Sequence, residues 1–122
     1  MSHTTIARMF LATVAVLATI PSVHADVTQA DIDAYNAAVD VHNARVARYE
    51  TAVSGHNSES DSYNSAVEYY NSLPDDQRTQ FQYDRLERWY NTLENRLGQL
   101  NAECNAINDR AAELEAWYNR LG

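Results

Sequence analysis

Few of the 122 residues are of the types that carry chemistry. Beyond residue 25 the candidates are His42, His56, the single Cys104, and two close carboxylate pairs, Asp75 with Asp76 and Glu113 with Glu115. Two imidazoles separated by two heptads on one helix lie about 21 Å apart along its axis, too far to share a metal ion. Each therefore reads as a helix-seam residue whose protonation near pH 6 would bring charge into the seam. Cys104 within reach of an imidazole would make a nucleophilic pair, and antiparallel pairing of two helices brings it about one turn from His42. The plainer readings are a small core residue or, since the chain holds no second cysteine, a disulfide between two chains. Members of the carboxylate pairs are one or two residues apart and do not share a helix face. Asp75 and Asp76 suit a helix start, where acids favour the dipole. There is no zinc-protease motif, no serine elbow and no phosphate-cradling glycine loop. The expectation is a protein without catalysis, cofactor or metal.

Binding is the better prospect. Trp89-Tyr90 and Trp117-Tyr118 recur four heptads apart, each followed by Asn. An indole is a large apolar surface to leave in water. These four residues either cover the flank of a helix seam or present a surface to a partner helix, an extended polypeptide or a sugar ring.

The elements that must position these residues are legible as repeats. Cut at Tyr35, Tyr49 and Tyr63, the chain repeats every two heptads, with Ala at the fourth place (Ala38, Ala52, Ala66) and Val at the fifth (Val39, Val53, Val67). A period of whole heptads returns the same helix face with every copy. The a positions are then Ile32, Val39, Val46, Val53, Ser60 and Val67, and the d positions Tyr35, His42, Tyr49, His56, Tyr63 and Tyr70. A second 3-4 stripe runs from Tyr83 and Leu86 to Tyr118 and Leu121, and Leu86-Glu87-Arg88-Trp89-Tyr90-Asn91 recurs as Leu114-Glu115-Ala116-Trp117-Tyr118-Asn119. Between the stripes, Ser72-Leu73-Pro74-Asp75 reads as an N-cap serine followed by proline in a first turn.

This pattern predicts an all-α fold: a long antiparallel two-helix coiled-coil hairpin, with helix one over about 27–71, a turn over 71–74 and helix two over about 73–121. Counting back from the turn sets Val53 near Leu97, Val46 near Cys104, Val39 near Ala111 and Ile32 near Tyr118. Residues 54–62, rich in Ser, Gly and Asp, lower helix propensity by several tenths of a kcal/mol each, roughly. A loop there would give a three-helix arrangement instead; the unbroken register across it favours one helix. Two helices bury little surface, so dimerisation to a four-helix bundle is the natural way to add core. The charge pattern of the sequence does not decide between parallel and antiparallel pairing of two hairpins.

Composition bounds the setting. Seventeen carboxylates stand against nine arginines and no lysine, for a formal charge of −8, which disfavours nucleic acid and anionic lipid as partners. Residues 1–25 have the layout of a secretory signal peptide: Arg8 in a polar start, an apolar run from Met9 to Ile20, then small residues at Val23 and Ala25. Twelve apolar residues fall short of the roughly 20 that span a bilayer. The expected mature chain starts at Asp26, carries −9 and resides in the periplasm or outside the cell. Its partners are expected to be a second copy or another helical protein. Leu73-Pro74-Asp75-Asp76-Gln77-Arg78 resembles the Leu-Thr-Pro-Glu-Gln motif of small periplasmic helical chaperones and metal-resistance sensors. The resemblance covers six residues, lacks the Thr and carries no site residue over. Expressed with its leader and recovered from the export side, the protein should show by intact mass the loss of residues 1–25; a mass retaining Met1 would remove the leader from this reading.

Overall fold

A computed structural model of the chain describes residues 26–122, so the expected leader lies outside the described residues. Two long helices, α1 (Gln29–Ser72) and α2 (Gln80–Leu121), pack as a hairpin, with a 3-10 turn at Asp75–Gln77 between them. No described helix is long and apolar enough to cross a membrane.

The a and d rows expected on α1 are the rows that face α2. Tyr35, Val39, His42, Val46, Tyr49, His56, Ser60, Tyr63 and Val67 are buried, while Ile32, Val53 and Tyr70 are half-buried. On α2 the buried positions are Leu86, Leu93, Leu100, Cys104, Ile107, Ala111, Leu114 and Leu121. Tyr90, Leu97 and Tyr118 sit half-buried beside them, whereas Tyr83, expected to open this stripe, is exposed and meets the Tyr70 ring with centroids 6.5 Å apart.

The described residues form two compact units. In the unit that holds the turn, Thr51–Ala102, the core is Tyr63, Val67, Leu86 and Leu93, with Ala66, Tyr70, Trp89 and Tyr90 packed against it. In the other unit, residues 26–50 with Glu103–Gly122, the core is Tyr35, Val39, Leu114 and Leu121. Ile32 and Tyr118 both pack on this second core, as the register counted from the turn requires.

Helix α1 runs through residues 54–62 without interruption, which sets the three-helix alternative aside. The reason is tertiary. His56 and Ser60 are buried in the seam, and Glu59 is held by Arg96 and Trp89 of α2. These contacts offset a propensity deficit that an isolated helix would express as fraying.

The turn departs from the expected capping. Ser72 is not the N-cap of helix two; it is the last residue of α1, and its hydroxyl donates to the Tyr69 carbonyl at 2.6 Å. Pro74 opens the 3-10 turn with φ −58°, and α2 begins at Gln80 rather than near 73. Arg78 then folds back to close the end of α1, donating from Nε to the Leu73 carbonyl at 2.9 Å and from Nη2 to that of Asn71 at 2.8 Å. It thereby satisfies carbonyls that a helix end leaves open, and its guanidinium lies 5.8 Å from the centre of the Tyr70 ring.

Both helices start on reciprocal capping boxes. Thr79 Oγ1 accepts from the Gln82 amide at 3.1 Å while Gln82 Oε1 accepts from the Thr79 amide at 2.9 Å. Thr28 and Asp31 do the same at α1, at 3.2 and 2.9 Å, and these bonds lower the Asp31 carboxyl below its ordinary range. Each box satisfies two amides of a first turn. Thr79→Ala should cost about 1 kcal/mol by thermal or denaturant unfolding followed by circular dichroism, with Thr79→Ser restoring most of it; equal stability of the alanine variant would contradict this role for the cap.

Candidate functional site

The repeat seen in the sequence is a repeat of ring geometry. Tyr35 meets Trp117 edge to face, with centroids 5.6 Å apart and planes at 81°, and leans on Tyr118 at 6.2 Å. In the other unit Tyr63 meets Trp89 at 5.4 Å and 80°, and Tyr90 at 6.0 Å. One tyrosine on α1 therefore inserts against each Trp-Tyr pair of α2, the arrangement in which the positive edge of one ring faces the negative face of another. Trp89, Tyr90, Trp117 and Tyr118 are all half-buried. They cover the seam with one side and keep the other side in water.

Between the two Trp-Tyr pairs, the α2 repeat places Glu103-Cys104 where another such pair would stand, and the aromatic contact is replaced by charge. Arg45 makes a two-pronged bond to Glu103, from Nε at 2.6 Å and Nη2 at 3.0 Å. That hydrogen bond, with the charges of Arg45 and Arg48 adding to it, holds the Glu103 carboxyl below its ordinary range against a smaller opposing effect of burial. Burial and the neighbouring Cys104 push the Tyr49 hydroxyl up to about 12.

In the turn-holding unit the acid is on the other helix. Glu59 of α1 accepts from Arg96 and, at 3.2 Å, from the Trp89 indole nitrogen. The Arg96 hydrogen bond is the main cause of its lowered carboxyl, with Trp89 and the charge of His56 adding to it. Arg45 and Glu59 are two heptads apart, at equivalent places in the repeat. Equivalent places of the repeat thus carry opposite charge in the two units.

Cys104 is reduced and 5% exposed, and its sulfur accepts from Asn108 Nδ2 at 3.8 Å. A disulfide to a second chain would require the seam to open there. His42 and His56 are 2% and 1% exposed, as the d row demands. The acids expected to be solvated are so: Asp75 contacts Arg78 at 3.3 Å with its side chain almost fully exposed, and Glu113 contacts Arg110 at 2.9 Å. Among the described residues no group of three or more His, Cys, Asp or Glu is arranged to hold a metal ion.

Among the described residues four exposed apolar side chains were not among the expected surface residues: Val41, Tyr69 and Phe81, each about two-thirds exposed, and Tyr83, less so. Val41 and Tyr69 are four heptads apart, so the repeat itself carries their signal, one place beyond the seam rows. Each borders an open groove. One, of about 210 Å³, is lined by Ala66, Tyr69, Tyr70, Arg85, Leu86 and Trp89, with Gln82 at its edge. The other, of about 350 Å³, is lined by Ala37, Ala38, Val41, His42, Arg45 and Arg110. Neither lining pairs a serine or cysteine with a histidine.

Comparison with family models, with curated proteins and with solved structures finds no match to this chain.

The lowered carboxyls of Glu59 and Glu103 set a direction for pH. A carboxylate held below its unfolded value contributes stability that is present above the ordinary glutamate value, about 4.3, and is lost as pH falls through the folded value. Melting temperature should therefore drop as the solution is acidified below about pH 4.3, and the paired variant Glu59→Gln/Glu103→Gln should show a shallower drop. An unchanged slope in the variant would show that these two ion pairs do not set it.

Proposed function

We propose that this protein is an exported, non-catalytic coiled-coil hairpin that acts by association, in a structural or adaptor role in the cell envelope, with a second copy or another helical protein as its partner. The observation that carries this reading is the half-covered aromatic flank. Trp89, Tyr90, Trp117 and Tyr118 complete the seam with one edge only, and exposed Val41 and Tyr69 extend the same flank. A hairpin gains core by covering such a flank with another helix pair. The leader-like start of the sequence supports export, and the acidic surface supports a protein rather than a nucleic acid as partner.

A second reading rests on the groove between Tyr69, Tyr70 and Trp89. Its apolar walls and the Arg85 guanidinium suit an extended polypeptide, as in a holdase that captures unfolded chains. A thiol enzyme at Cys104 has the least support, because the sulfur is buried in the seam.

Light scattering behind size exclusion, run on the purified protein with and without reductant, tests the leading reading. A dimer in both runs is expected. A dimer lost on reduction would assign the contact to Cys104, and a monomer in both would overturn self-association and favour the holdase, which must then suppress aggregation of an unfolded client.

A further inference from the structure

One flank of α1, next to the seam rows, carries a second 3-4 row. In the unit of residues 26–50 and Glu103–Gly122 it reads Ala38, Val41, Arg45, Arg48; in the turn-holding unit it reads Ala52, Gly55, Glu59, Ser62, Ala66, Tyr69. All of these are exposed or half-exposed. Each unit sets one projecting apolar side chain beside one small residue and a groove: Val41 beside Ala38, and Tyr69 beside Ala66.

The row is self-complementary in one direction only. Laid antiparallel against its own copy, Tyr69 falls opposite Ala38, Ala66 opposite Val41, Ser62 opposite Arg45, Glu59 opposite Arg48, and Gly55 opposite Ala52. Every projecting side chain meets a small one, and the basic stretch of one chain meets the acidic residue of the other. Laid parallel, Val41 meets Val41, the arginines meet each other and Glu59 meets Glu59, which like-charge repulsion opposes. Arg48 is exposed and already acts on the Glu103 carboxylate through its charge. Set beside a second chain's Glu59, which is bonded to that chain's own Arg96, it would extend the ion pair to three groups.

Gly55 belongs to the same row. Glycine inside a helix is less favourable than alanine, yet Gly55 stands near the middle of α1. Among the described residues nothing lies within 4 Å of where a Cβ would sit at Gly55, and the same is true of Gly98 on α2. At Gly55, unlike Gly98, that open space lies in the row where the charges and the projecting side chains match a second copy.

We propose that this row is the docking surface for a second copy of the same chain, paired antiparallel through α1 with Ala52 and Gly55 at the two-fold axis. The proposal rests on the association reading above and names its partner, face and direction. An isologous contact of this kind is closed, so it ends at the dimer.

Disulfide trapping in a Cys104→Ser background tests it. Protein carrying Val41→Cys is mixed with protein carrying Ala66→Cys under mild oxidation, and each is also oxidised alone. The mixture should give covalent dimer several-fold faster than either protein alone. Efficient self-linking of Val41→Cys would mean parallel pairing and overturn the proposal. A dimer by light scattering that links in none of the three samples would place the contact on another face, overturning the proposal and leaving the association reading intact. A monomer throughout would sink both. As a second handle, Gly55→Leu should raise the dimer dissociation constant at least tenfold with helix content by circular dichroism preserved, while Gly98→Leu, exposed on α2 outside the row, should leave it unchanged. Equal effects of the two substitutions would overturn the crossing at Gly55.

Discussion

A seam between two helices is one side chain deep, and the rest of the structure follows from filling that layer. Each helix can bury a stripe about two rows wide, so every large side chain in the stripe must be covered by the facing helix or by its own neighbours. Tyr35 and Tyr63 meet this demand by inserting edge-on to an indole and leaning on the next tyrosine. A ring wide enough to span the layer needs flanking rings to close it, which is why each of these two buried tyrosines comes with a Trp-Tyr pair on α2. The flanking rings are necessarily only half covered, and that geometric remainder is the apolar flank from which the functional reading grows.

The layer is also unusually polar for a core. His42, His56 and Ser60 are buried alongside the tyrosines, and the Tyr63 and Ser60 hydroxyl oxygens are buried with no hydrogen-bond partner among the described residues. Burial raises the Tyr49 and Tyr63 hydroxyls, since the charged form is the one that loses solvation. Such groups cost stability relative to apolar ones. What they do confer is register: a slip of the two helices would separate Tyr35 and Tyr63 from their indoles and Arg45 from Glu103. Similar heptads repeated along a chain need such markers, because Val and Leu rows alone fit several registers.

The ion pairs are arranged on the same logic. They sit on the flank beside the seam, partly shielded, with Arg on α1 in one unit and Glu on α1 in the other. Their distribution along α1 is what makes the outer row directional, a property the net charge of the chain conceals. Asp75 and Glu113, exposed carboxylates away from this flank, contact arginines three residues away on their own side of the hairpin.

By itself the sequence determined the helical class, the two stripes, the place of reversal and the residues of the seam, because all of these depend on periodicity, and a 3-4 spacing has one physical solution. It also located the four rings of the flank. Only the tertiary structure decided that residues 54–62 stay helical, since His56, Ser60 and Glu59 are held by residues of α2 that no local propensity can sense. The same is true of the turn. Ser72 and Pro74 carry the signals of a helix start, but Arg78 reaching back to Asn71 and Leu73 ends α1 first, and the capping box at Thr79 moves the start of α2 to Gln80. Which face of each Trp is covered, and which row of α1 is left outside, follow from the packing of one helix on the other, and that is information a single helix does not contain.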